Sequence, residues 1–198
     1  MKIKLTTLAL LATVTFANAQ SEKLTVDTKK SELAWHAEKV TGQHDGFVKI
    51  KSGFLAMENG NLTGGEFVID MPTITCTDIE DPEWNTKLIG HLKSDDFFSV
   101  EKHKTAKLIV TKAIPQGENS YKLIGNMTIK GITKEVKFMA KVTNNNGIVE
   151  ANAEITLDRT EFDIRYGSGS FFDDLGDKTI YDNFEMKVSL VAGSGKKA

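Results

Sequence analysis

The chain has 198 residues, 40% of them hydrophobic and 26% charged, a formal net charge of −2 and one cysteine. The length suits one domain. Mild acidity without a long basic run argues against a nucleic-acid partner and against binding to an anionic membrane surface, and a lone cysteine leaves no internal disulfide, so stability rests on a hydrophobic core.

The first stretch reads as a processing signal. Met1–Lys4 is basic, Leu5–Phe16 is apolar, and Ala17-Asn18-Ala19 forms an A-x-A cleavage site before Gln20. The apolar run falls short of the about 20 residues needed to span a membrane. The residue after the cut is Gln, not Cys, so nothing points to a lipoprotein anchor. The expected organisation is a signal peptide over residues 1–19, a barrel domain over 20–192 and a flexible tail over 193–198. Loss of Lys2 and Lys4 with the leader takes the mature charge to −4. The expected location is the periplasm or the outside of the cell.

From there the chain alternates apolar and polar residues, the period of a half-buried strand. Leu33, Trp35 and Ala37 share a face, then Val48 and Ile50, with Phe54 re-entering the pattern after Gly53. Asn59-Gly60 marks a hairpin turn. Gly65, Phe67, Ile69 and Met71 follow on one face, and Pro72 suggests a strand end. Cys76, in phase with Ile74, reads as a buried inert thiol.

The alternation breaks once, over Lys87–Phe98. Leu88 and Leu92 lie four apart, as on one face of a short helix. Asn85 is a candidate cap for its start, and Ser94 with Asp95 and Asp96 a second cap. Phe97 and Phe98 then form an aromatic pair, so the stretch reads as a helical plug with an aromatic latch against a barrel mouth or edge. Alternation resumes through Ala106, Leu108 and Val110. It continues through Tyr121, Leu123, Gly125, Met127 and Ile129, then Val136, Phe138, Ala140 and Val142. Val149, Ala151, Ala153, Ile155 and Leu157 follow, and after a long loop from Thr160 to Lys178 come Phe184, Met186, Val188 and Leu190. Turn signals fall at Gln116–Asn119, Lys130-Gly131 and Asn144–Gly147.

About eight strands joined by short turns predict an all-β, eight-stranded antiparallel lipocalin-like barrel with a short helical insertion before the fourth strand, and a two-sheet sandwich is the alternative. Small residues recur on the inward faces: Ala37, Gly65, Ala106, Gly125, Ala140, Ala151 and Ala153. They leave room for an apolar guest, unless Trp35, Phe54, Phe67 and Phe138 fill the space.

Five runs resemble the YceI-like family, in family order and over nearly all of the mature chain. Val40–Gly46 is similar to its V-x-G-x-H-x-G signature, and Phe67–Met71 to its strand ending in Asp-Met. Leu88–Phe98 resembles its most distinctive motif, and Asn126–Lys134 its L-T-I-K-G-V-T-K hairpin. Arg159–Ile164 resembles R-T-D-F-G-I, with Glu161 and Asp163 as departures. The resemblance implies a lipocalin-like barrel with a helical segment, exported by bacteria, and in some members a polyisoprenoid, quinone-like or other long-chain lipid inside.

His44 and His91, beside glycines and read as lying at connections, are candidates to hydrogen-bond a lipid head group or to hold the plug closed. Arg159 is expected to pair with Asp70 or Asp95, with an anionic head group as the alternative. Tyr166–Phe172 reads as a mobile rim flap. A metal set of His44, His91 and His103 with Asp70 or Asp95 follows no zinc spacing, so no metal and no cofactor other than a bound lipid is expected. No hydrolase motif is present. The candidate ligand-binding residues are therefore Trp35, Phe67, Leu108, Met127, Phe138 and Ala151 inside, with His44, His91, Phe97, Arg159 and Tyr166 near the mouth. The reading is a lipid carrier or storage barrel, not an enzyme, with a small-molecule lipid as partner, no nucleic acid, no membrane span, and room for a homodimer. The alternatives are an isoprenoid-modifying enzyme using His44 or His91 as acid–base, and a packed structural or stress-related barrel.

Overall fold

The computed structural model describes residues 21–193; the expected signal peptide and residues 194–198 lie outside them. Ten strand segments form one antiparallel sheet. They are β1 (Ser21–Val26), β2 (Glu32–Lys39), β3 (Gly42–Phe47), β4 (Lys49–Glu58) and β5 (Asn61–Asp70), then β6 (Thr105–Pro115), β7 (Ser120–Ile129), β8 (Ile132–Asn145), β9 (Ile148–Asp158) and β10 (Ile180–Gly193). From β4 to β10 each strand pairs with the next in sequence. Closure comes from β1, which pairs with β4 on one side and, through Thr25–Gly193 and Val26–Ala192, with β10 on the other. β2 also lies on β10, and β3 on β2. β3 and β4 are separated by Val48 alone, whose N–H donates to the Leu33 carbonyl at 3.0 Å. Thus β1–β2 and β3–β4 each act as one bent strand, and the barrel is eight-stranded.

The turns follow their residues. Asn59-Gly60, Lys130-Gly131 and Asn146-Gly147 all have positive φ at both positions, the backbone that two-residue hairpins of the favoured hand require. Inward faces match the sequence alternation on β2 and on β5 to β10, giving a single hydrophobic core. Phe54 is the exception. A register shift between Ile50 and Ser52 puts an extra residue into β4, so Leu55 and Met57 point inward while Phe54 lies outside under the Lys23 ammonium, 4.2 Å from its ring. Gly193, expected in the tail, is the last residue of β10, paired with Thr25 and Ile148.

The helix α1 (Pro82–Lys93) starts earlier than its apolar spacing suggests. Asp81 is its N-cap, accepting from the N–H groups of Glu83 and Trp84 at 2.9 and 3.0 Å, with Pro82 at the first helical position where no N–H is needed. Asn85 lies inside the helix and donates to the carbonyls of Cys76 and Ile79 at 3.0 Å each. Ser94 ends α1 instead of starting a second helix: its hydroxyl donates to the His91 carbonyl at 2.8 Å. Leu88, Ile89 and Leu92 are half-buried against the barrel core. Among the described residues no helix is long and apolar enough to cross a membrane.

A strap over residues 74–79 joins β5 to α1 and covers the outer edge of β3. Thr75 and Thr77 donate their N–H groups to Phe47 and Asp45, each at 2.9 Å, so an edge that would otherwise present unpaired groups is closed. Gly46 makes this approach feasible: a Cβ there would lie 1.9 Å from the Thr75 carbonyl oxygen and 2.7 Å from the Trp35 ring.

Candidate ligand chamber and its rim

Among the described residues, two apolar voids lie inside the barrel. The outer one, about 100 Å³, is bounded by β2 and β10, by Leu92 of α1 and by Phe97 and Phe98. The inner one, about 80 Å³, is lined by β4 to β10. Leu33, Ile69, Met127 and Met186 line both, so these four side chains form a waist between the two. Every residue of the inner lining is apolar. In the outer lining only Trp35, Arg159 and Tyr181 carry a polar side-chain group.

Phe67, Leu108, Phe138 and Ala151 line the inner chamber, Trp35, Phe97 and Arg159 the outer, and Met127 the waist. Ala37 and Ala106 open the outer chamber, and Ala140, Ala151 and Ala153 the inner one. Gly65 and Gly125 are small for another reason. A Cβ at either would sit 2.7 or 2.6 Å from a carbonyl oxygen of the neighbouring strand.

Arg159 is 4% exposed, and four of its five N–H donors are spent on backbone carbonyls. Nη1 donates to the carbonyls of Ile164 (2.8 Å) and Tyr166 (2.9 Å), Nη2 to Ile180 (2.9 Å) and Nε to Tyr181 (3.1 Å). Its acidic partner is Asp182, 3.3 Å from Nη2, not Asp70 or Asp95. Asp182 Oδ1 accepts no hydrogen bond and is held by charge, while Oδ2 accepts from the Ser170 hydroxyl at 2.6 Å. Burial pushes the guanidinium pKa down, opposed by Asp182 and Asp158. Arg159 is thus a staple tying the end of β9 to the start of β10, with four of its five N–H donors spent on backbone carbonyls and its charge set against Asp182.

The same staple pins the Gly-rich segment expected to form a mobile flap. Ser168 is fully buried, and Ile180 donates its N–H to Gly167 at 2.8 Å. Asp163, where the family motif has Gly, sits at φ 58°, in the left-handed region that Asp tolerates better than most residues.

His91, Phe97 and Tyr166 form an aromatic cluster over the outer chamber. The His91 ring meets Phe97 edge-on at 4.9 Å and Tyr166 at 4.5 Å, and Phe97 lies 5.7 Å from Tyr166. Phe97 faces the void; His91 and Tyr166 do not line it, and they join α1 to the Arg159 segment. His44 lines neither chamber. It lies within strand β3, not at a connection, with Nδ1 2.8 Å from Asp78 Oδ2 on the strap. The Asp78 carboxylate also accepts from the Asp45 N–H (2.8 Å) and the Cys76 thiol (3.1 Å). Burial favours its neutral form, yet the Asp45 N–H, His44 and Cys76 outweigh that and hold its pKa at about 2. These three contacts, and the carbonyls around Arg159, carry no sequence signal.

A model of the YceI-like domain matches residues 24–192. A UPF0312 protein of Serratia proteamaculans is 44% identical over 52 residues, which is 26% of this chain and 27% of that protein, so the aligned stretch spans about a quarter of that relative's length. Among solved structures, BcnA of Burkholderia cenocepacia superposes with a TM-score of 0.64 at 21% identity, covering 84% of this chain and 99% of that one. A polyisoprenoid binding domain of Saccharophagus degradans, implicated in plant cell wall breakdown, gives 0.63 at 10% identity over 86% and 98% of the two chains. At these identities the two structures show the shared fold.

Proposed function

We propose a lipid-binding role, and its premise is that the chain belongs to the YceI-like family. The protein holds one long apolar chain, of polyisoprenoid or quinone-like character, threaded through the outer chamber into the inner one. The observation that carries this reading is the pair of adjacent hydrocarbon-lined voids. Left dry, voids of about 100 and 80 Å³ cost on the order of 4 kcal/mol at about 24 cal/mol per Å³. A barrel that only had to be stable would fill them. A guest instead gains roughly 0.8 kcal/mol per CH₂ buried. Met127 and Met186 at the waist are the unbranched side chains best suited to shift as a chain passes. The polyisoprenoid binding domain with the same fold supports the ligand class.

Binding, not catalysis, is the reading the chemistry favours. His44 and His91, the candidate acid–base groups, do not line the chambers, and the Trp35 indole N–H is taken by the Thr75 carbonyl at 3.0 Å. The leader-like residues 1–19 support an exported carrier or storage protein that works in the periplasm or outside the cell. Displacement of a fluorescent fatty-acid probe tests the reading. Polyprenols should displace it at one equivalent, and a probe that never binds overturns the proposal.

A further inference from the structure

The geometry points to a divalent transition-metal site formed by His44, Cys76 and Asp78, with Zn²⁺ the ion whose ligand chemistry fits best. Its three residues line neither lipid chamber, although His44 shares with Ala37 the face that borders the outer one. One candidate ligand atom from each residue lies within 4.8 Å of the other two. Two of the contacts are already tight: His44 Nδ1 to Asp78 Oδ2 at 2.8 Å and Cys76 Sγ to Asp78 Oδ1 at 3.1 Å. Zn²⁺ binds imidazole, thiolate and carboxylate at about 2.0–2.3 Å, which sets tetrahedral ligand–ligand edges of roughly 3.5 Å. An ion therefore needs the two tight contacts to part by roughly half an ångström and the widest edge, up to 4.8 Å, to draw in towards about 3.5 Å.

Three donor types converge here from two separate chain segments, which distinguishes the group from an acidic patch or an isolated thiol. Each segment is fixed by backbone pairing. His44 sits in β3 opposite Ala37, and Cys76 and Asp78 sit on the strap held by Thr75 N–H to Phe47 and Thr77 N–H to Asp45. A further layer of contacts orients the ligands: the Asp45 N–H donates to Asp78 Oδ1 at 2.8 Å, and Asn85 of α1 holds the Cys76 carbonyl at 3.0 Å. Cys76 is buried, while the side chains of His44 and Asp78 are 30% and 29% exposed, so the ion enters from solvent and keeps an open position for water. The mixed N, S and O set favours Zn²⁺ or Co²⁺ over Mg²⁺ or Ca²⁺, which take oxygen ligands. On binding, the thiol gives up its proton to solvent and the thiolate–metal bond forms. The bound ion clamps the strap to β3 and, through Asn85, steadies the start of α1. The sequence hides the site because His44 and the Cys76-x-Asp78 pair are far apart in the chain.

Co²⁺ titration of the metal-stripped mature protein under a non-thiol reductant tests this. The expected result is a 1:1 endpoint with a near-ultraviolet thiolate-to-cobalt band, reversed by Zn²⁺. The chain has one cysteine, so that band reports on Cys76 alone. Cys76→Ser should abolish it, and His44→Gln and Asp78→Asn should weaken binding about tenfold or more. Absence of the band in the wild-type protein overturns the site even if no variant folds. Undiminished Co²⁺ affinity in a folded Cys76→Ser variant overturns it as well.

Discussion

Ala151→Phe probes the smaller of the two chambers. Ala151 lies on β9 with its methyl group facing the inner chamber, whose void is about 80 Å³. An apolar cavity of about 150 Å³ holds one benzene, so an added phenyl ring uses up this void and reaches towards the waist. Displacing about four CH₂ groups of a guest costs about 3 kcal/mol, or about a hundredfold in Kd. The fold itself should survive, since the ring fills a void that already exists; repacking strain stays within about 1–3 kcal/mol. The assay is quenching of Trp35 fluorescence by a quinone-tailed polyprenol in a Trp84→Phe background, because Trp84 is exposed and adds unrelated signal. Asn152→Phe, one residue away and facing solvent, should bind as wild type does. Equal affinity in Ala151→Phe and wild type would refute the inner chamber as the binding space.

Three further outcomes follow from the same geometry. Arg159→Met leaves four backbone carbonyls and Asp182 without their partner and should cost about 3–5 kcal/mol in urea unfolding; a loss below about 1 kcal/mol would mean that the staple is not structural. Gly46→Ala pushes a methyl group into the Thr75 carbonyl and the Trp35 ring and should cost about 1–3 kcal/mol or more, with a shift in Trp35 emission as the strap lifts; an unchanged unfolding midpoint and spectrum would contradict the packing. The pKa of His36 is raised, chiefly by its 2.8 Å hydrogen bond to Asp45 and then by Glu38, with burial acting the other way. Its folded pKa lies above the unfolded value near 6.5, so its contribution is complete below that pH and fades as pH rises through the raised value. The stability difference between wild type and His36→Gln should therefore shrink from pH 5.5 to pH 8.5, and a gap that widens would reverse the assignment.

The barrel was legible because period-2 alternation survives from β5 to β10 with few breaks, and because Asn59-Gly60 and Asn146-Gly147 name their own turns. Phe54 was misread because one extra backbone residue near Lys51 reverses which side chains face inward, an event that side-chain chemistry does not mark. The short β1 offers only Leu24 and Val26 as alternating apolar positions, too few to separate from the leader that precedes them. The helix was found by Leu88 and Leu92, but its true start depends on Asp81 and Pro82, which lie beyond the apolar spacing. Most chamber-lining residues were readable as inward positions, whereas Arg159 lacked its partner: Asp182 comes close only when the end of β9 meets the start of β10. His44 read as a loop residue because its flanking glycines resemble turn signals, although Gly46 is there to let Thr75 and Trp35 approach.

Native mass spectrometry of the purified mature protein, followed by solvent extraction, tests the central claim most directly. The account predicts a one-to-one adduct that dissociates to a long-chain apolar molecule, or an apo protein that takes up one polyprenol or quinone on incubation. A bare protein mass that stays unchanged after incubation with both would contradict it and leave the two voids as unfilled features of a packed barrel.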